Sequence, residues 1–290
     1  MARSSALLRR TVKVASAAAD RLRPDLPGVV ILLYHRVGGG SRLEIDLDAA
    51  RFDDQIAAIA ATGRAVPLGG ALEQLATVSA RSEPSSVVVT FDDGTADFVE
   101  VALPILVRHR VPATLYVATA FVEDGLPFPA DGRPVSWSAL RDACSTGLVD
   151  IGSHTHTHRL LDRTPRADAA DELDRSIGLI GERLGRVAHD FAYPKAVAGA
   201  PDVVPLVQQR FRSAALAGTR INPFRTPQSG TAKHRSPSKP RGTDPYRLAR
   251  SPIQVSDGMQ FFARKLAGGM ALEDSFRRAM NRVRYAKAGT

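Results

Sequence analysis

The sequence predicts an α/β fold, with a parallel sheet that is either open or closed into a barrel. Two observations predict it. Short apolar runs alternate with longer amphipathic stretches, giving some seven strand-helix steps. The residues with the most chemical potential fall just after the apolar runs, where such folds gather their chemistry.

The elements follow in order. Strands are expected at 29–34, 87–91, 113–118, 149–152, 190–193 and 213–216, with the last at Ile253–Val255. Helices are expected at 52–62, ending at Gly63, and at 99–110, 138–145 and 167–184. The last of these has acids early and Arg183 late, as the helix dipole favours. Two terminal helices are expected at 261–266 and 275–286. Leu8, Val12, Ala15, Ala19 and Leu22 recur at helical spacing before Pro24, with Arg9, Lys13, Ser16, Asp20 and Arg23 on the other face. That predicts an N-terminal amphipathic helix whose basic face reads as solvated, and which could pack on the domain, lie on a membrane surface or contact a partner.

The chain of 290 residues suits one large α/β domain or two small ones, and no linker divides it. The expected partition is a basic helix at 1–27, a barrel at 28–256 and basic helices at 257–290. Within the barrel, 223–245 is rich in Pro, Ser, Gly, Lys and Arg and reads as an exposed loop. Of the net charge of +9, residues 1–25 hold +4, residues 225–241 hold +5 and residues 260–290 hold +5, leaving −5 for the rest. An acidic body with basic flanks argues against a nucleic-acid substrate, since phosphates need positive charge at the site. The flanks suit peripheral contact with an anionic membrane surface. No apolar segment is long enough to span a bilayer, and no convincing signal peptide is seen. A cytoplasmic place, or one on the inner membrane face, is therefore expected over secretion. The lone Cys144 reads as a buried structural residue.

Two constellations point to chemistry. Val87-Val88-Val89 leads into Thr90-Phe91-Asp92-Asp93-Gly94, which places two carboxylates side by side at a strand end. Two adjacent anions at the mouth of a core are costly without a cation or a proton. The second constellation is His154-Thr155-His156-Thr157-His158. His154 and His158 can point the same way from a turn, whereas His154 and His156 would share a face only in a strand. A carboxylate with two imidazoles suits a borderline divalent ion such as Zn²⁺. His109 reads as a solvated helix cap, and Trp137 as core or rim packing more than a sugar platform.

Thr90–Gly94 and Gly152–His158 resemble the first two motifs of the polysaccharide deacetylase family, carbohydrate esterase family 4, also called the NodB homology domain. Phe191-Ala192-Tyr193-Pro194 resembles the third, with Ala where many members have Arg. Leu33–Val37 and Val111–Thr114 extend the likeness, which runs over about residues 28–216. The resemblance implies a distorted (β/α)7 barrel and removal of acetyl groups from N-acetylated sugars. It implies Asp93, His154 and His158 as ligands of a divalent metal, Zn²⁺ first and Co²⁺ or another transition metal next. It implies Asp92 as general base. The oxyanion is expected at a backbone N–H near Lys195.

The chain departs from the pattern on the acid side. It has no late Leu-x-His motif, and Lys195-Ala196 stands where Tyr-Gly is usual. His35, at the end of the first strand, is the candidate to serve as the acid or to orient it. His156 is expected behind the ligands or at the surface. The expected partner is an N-acetylated sugar, an oligosaccharide or a lipid-linked glycan. A catalytically silent, metal-containing carbohydrate-binding domain remains the alternative.

Overall fold

The computed structural model describes residues 2–20, 26–38, 40–77, 85–225 and 242–286. Ten strands are present among them: β1 Gly28–Tyr34, β2 Arg36–Val37, β3 Asp46–Leu47, β4 Ser86–Phe91, β5 Ala113–Val117, β6 Val149–Ser153, β7 Asp190–Ala192, β8 Ser213–Ala217, β9 Asn222–Pro223 and β10 Leu248–Pro252. The order β10-β8-β7-β6-β5-β4-β1, closed by β10 on β1, makes a seven-stranded parallel barrel. β9 adds antiparallel to the start of β1, and β2 pairs with β3 outside the barrel. The expected (β/α)7 architecture is the one observed.

The ten α-helices are α1 Ala2–Ala19, α2 Ala49–Ala61, α3 Leu68–Thr77, α4 Leu103–His109, α5 Thr119–Asp124, α6 Trp137–Ser145, α7 Arg166–Leu184, α8 Val204–Arg210, α9 Gly258–Leu266 and α10 Ala271–Ala286. Strand residues alternate between two cores, as the pleat requires. Val30, Leu32, Val87, Val89, Leu115 and Val117 face outward onto helices such as α2, through Phe52, Ile56 and Ile59. Val29, Ile31, Val88, Tyr116, Ala192, Ala215 and Leu248 fill the interior, and Leu68, Ala71 and Leu75 of α3 close its N-terminal floor. Small residues make room for large ones inside. A Cβ on Gly152 would sit 2.5 Å from the Tyr116 ring, so this position in β6 tolerates only glycine.

Three expectations need correction. The last strand is Leu248–Pro252 rather than Ile253–Val255. Arg250 and Pro252 make this stretch read as a loop. Ile253 has already left the ladder, donating its N–H to Leu33, and Val255 opens a 3₁₀ turn capped by Gln254 and Asp257. The second correction concerns 99–110, which is a π turn over Phe98–Ala102 followed by α4. Pro104 lacks an N–H and cannot continue a regular ladder from the preceding turn. At the end of α4, His109 is tied to Asp53, with Nε2 2.6 Å from Oδ1, and is not a free solvated cap.

The third correction reverses the N-terminal helix. Lys13 and Ser16, assigned to its solvent side, are buried, while Val14, Ala15 and Ala18 are exposed. Charge and capping explain this. Lys13 Nζ lies 2.6 Å from the buried Asp257 carboxylate, which also holds Lys265 Nζ at 2.9 Å. The first amides of α10 need acceptors that the helix cannot supply. Asp20 accepts from Met270 N–H and Ser16 from Glu273 N–H. The polar face of α1 is thus the one that fits. α9 and α10 follow the barrel as expected, and the basic loop lies largely outside the described residues.

Candidate active site

The chemistry-bearing residues converge at the C-terminal ends of β1, β4, β6, β7 and β10. The Asp pair sits where β4 leaves the barrel, and backbone bonds fix it there. Asp92 N–H donates to Tyr34 of β1, and Asp93 accepts from Ala118 N–H after β5. The histidine loop is tied in the same way, His154 N–H donating to Val117. Left-handed backbone concentrates here: Asp93 has φ 73°, Thr155 64°, His158 61°, Lys195 53° and Ala196 56°. Such residues cost about 1–3 kcal/mol each outside glycine and persist only where the surroundings hold them.

Asp93, His154 and His158 offer ligand atoms that all lie within 4.8 Å of one another. Asp93 Oδ1 is 3.6 Å from His154 Nε2 and 3.4 Å from His158 Nε2. His154 Nδ1–H donates to the Ala192 carbonyl at 2.7 Å, which leaves Nε2 as the free lone pair aimed at Asp93. Burial lowers the His154 pKa to about 4, so the ring is neutral, as a ligand must be. Asp93 is held well below the usual carboxylate range: burial opposes this, and the His158 hydrogen bond with the nearby His35 and His154 outweighs it. One carboxylate and two imidazoles at this spacing fit a divalent metal.

Asp92 is occupied differently. Arg250 of β10, fully buried, makes a bidentate contact with it: Nη1 to Oδ1 at 2.5 Å and Nη2 to Oδ2 at 2.8 Å. Burial alone would raise the Asp92 pKa, but Arg250, His154 and His35 together lower it. The guanidinium also lies over the Tyr116 ring, 5.1 Å from its centroid. Sequence reasoning missed Arg250 because it lies far from the motifs, in a segment that reads as loop. The signal was Ala192. Both residues face the barrel interior, so a small side chain on β7 leaves space that an arginine from β10 can use.

Two further residues support the histidine loop from α7. Buried Glu172 accepts from Thr157 N–H at 2.7 Å and from Thr157 Oγ1 at 2.5 Å. Ser176 Oγ is 2.8 Å from Ser153 Oγ. His156 turns away from the ligand cluster, and its Nδ1 is 2.9 Å from Thr119 Oγ1. His35 is half-buried and close enough to both aspartates to help lower their pKa values, and its Nδ1 has no partner among the described residues. Lys195 has an exposed side chain on a 3₁₀ turn, and its amide makes no hydrogen bond among the described residues. Trp137 starts α6 at the rim, with its indole N–H on Glu123, and Cys144 is buried in the same helix.

Comparison with known proteins places this geometry. The sequence profile of the family described as Polysaccharide deacetylase matches residues 79–204, a span that includes the Asp pair, the histidine loop and Tyr193-Pro194. Arg250 lies beyond it. A poly-β-1,6-N-acetyl-D-glucosamine N-deacetylase of Staphylococcus aureus is 26% identical over 132 residues, covering 43% of this chain and 44% of the relative. The chain thus spans less than half the length of the curated relatives it matches. The deacetylase PplD of Streptococcus pyogenes, solved with acetate, aligns with a TM-score of 0.66 at 19% identity, over 83% of this chain and 98% of that one. IcaB of Ammonifex degensii aligns with a TM-score of 0.66 at 23% identity, over 82% and 97%. At such identities the alignments establish the barrel, while the profile match places the first two motifs on it. Residues 79–204 are thus similar to the polysaccharide deacetylase family, and the barrel around them is the one these solved structures share.

Proposed function

We propose that the protein hydrolyses the N-acetyl amide of an acetamido sugar within a glycan or glycoconjugate. The observation that supports this best is the second carboxylate. Metal binding alone needs Asp93, His154 and His158, and would not require Asp92 held as an anion beside them by a buried arginine. A divalent ion held by those three residues, Zn²⁺ in this reading, would acidify a water molecule and polarise the amide carbonyl.

The protein's own groups account for the rest. Each Asp92 oxygen keeps a lone pair besides the one facing Arg250, and Oδ2 lies 3.8 Å from His154 Nε2, on the side of the ligand cluster. Asp92 takes the proton of the attacking water as its oxygen bonds the carbonyl carbon. The free Lys195 N–H stabilises the negative charge that grows on the carbonyl oxygen. The C–N bond then breaks, and the departing amine takes a proton, which His35 is placed to give. The products are acetate and an amino sugar. A lipid-linked glycan, met through peripheral contact of the basic flanks with a membrane, is a finer form of the same reading. No helix among the described residues is long and apolar enough to cross a bilayer.

Acetate release from N-acetylated sugars with added Zn²⁺ or Co²⁺ tests the proposal. Metal uptake without release from any acylated sugar would favour the silent binding domain instead. The support from α7 gives a separate prediction. Glu172→Ala strands the Thr157 amide and is expected to weaken metal affinity about 10–100-fold, as loss of a group behind the ligands does. His156→Ala is expected to leave it unchanged, and calorimetric metal titration distinguishes the two.

A further inference from the structure

The middle histidine of the loop has no place in the reaction above, yet it is built into a cavity of its own. A cleft of about 390 Å³ between α5 and α7 is lined by Glu123, Asp124, His156, Arg175, Leu179 and Glu182. That volume is within the range of small-molecule sites, about 300–1,000 Å³. His156 is only 5% exposed. Thr119 holds its Nδ1 at 2.9 Å, and Nε2, the ring's other polar atom, has no partner among the described residues. A buried imidazole with one nitrogen fixed and the other left to a cleft is a site for a ligand hydrogen bond.

The charge around that nitrogen is unbalanced. Glu123, Asp124 and Glu182 line the cleft against the single cation Arg175. Glu123 is already engaged by Arg183 and by the Trp137 indole N–H. Arg175 leans toward Asp171 at 3.8 Å, outside the cleft lining. Arg183 also reaches Glu182, at 3.6 Å, but that pair is loose and largely exposed. Asp124 is exposed beside it, so the cleft keeps an excess of negative charge that favours a cation. It also lies close to the reaction centre. His156 is two residues from both His154 and His158, at most about 7 Å of backbone each way.

We infer that the α5–α7 cleft binds a protonated amino sugar, one that the reaction has already deacetylated, and so holds a partly processed glycan beside the catalytic centre. The inference rests on the deacetylase reading for the source of that sugar. Its ammonium group would pair with Asp124 and Glu182, and its hydroxyls or amine would meet His156 Nε2. An acetamido sugar is neutral and gains nothing from the two carboxylates.

The test titrates a glucosamine tetramer and its fully N-acetylated counterpart into metal-free wild-type protein and into an Asp124→Asn/Glu182→Gln double variant. Leaving out the metal removes product binding at the ligand cluster from the comparison. The wild type is expected to prefer the deacetylated tetramer, with salt weakening the complex. The double variant is expected to bind it about tenfold more weakly, with acetate release from a monosaccharide by the metal-loaded protein unchanged. Equal affinity of wild type and variant for the glucosamine tetramer, or a preference for the acetylated one, would overturn the inference. Failure of the functional reading looks different: no sugar releases acetate, while charge-dependent glucosamine binding persists in the cleft.

Discussion

Replacing Arg250 with methionine is expected to lower acetate release about 100-fold or more while leaving the metal ligands in place. The size follows from what the arginine does. It orients Asp92 through two hydrogen bonds and keeps it charged in a site where burial favours the neutral acid. General-base catalysis contributes about 10²–10⁴-fold, and a protonated or misplaced base forfeits most of it. The pH profile carries the sign. With Arg250 gone, burial raises the Asp92 pKa, so the acid limb of the rate profile moves to higher pH, and activity recovers partly as the pH rises. A merely structural defect would lower the whole profile without moving the limb. Stability should fall as well, by about 3–5 kcal/mol, because a buried carboxylate loses its partner. Denaturant unfolding measures that loss, and a rate profile of unchanged shape would argue against the tether.

His154→Ala is expected to abolish activity by a different route. The ring is buried, donates to Ala192 and presents its other nitrogen to the ligand cluster. If it is one of the three proposed ligands, metal affinity falls by more than the roughly 10–100-fold typical of a supporting group. Metal content after dialysis reads the effect directly. The neighbouring His156→Ala variant controls for loop damage, since His156 faces the other way.

Much of this site was legible in the sequence because its parts are local. The Asp pair follows an apolar run, and the strand it ends is the one observed. His154 and His158 are spaced for a turn, and left-handed backbone at Thr155 and His158 supplies it. The parts that were not legible depend on distant contacts. Arg250 stands out from no motif until β10 closes the barrel and places it opposite Asp92. Lys13 and Ser16 read as a solvent face until Asp257 and the start of α10 give them partners across the chain. In both cases the counter-charge is more than 100 residues away. Periodicity registers polarity, and it has no access to a buried partner remote in sequence.

The two carboxylates of the Asp pair are assigned different work, and one paired measurement separates them. Asp92→Asn and Asp93→Asn are prepared side by side, and metal content and acetate release are measured on each. The assignment predicts that Asp92→Asn keeps its metal and releases no acetate, whereas Asp93→Asn loses both. Retained hydrolysis in Asp92→Asn, or loss of metal from it, would contradict the division of roles.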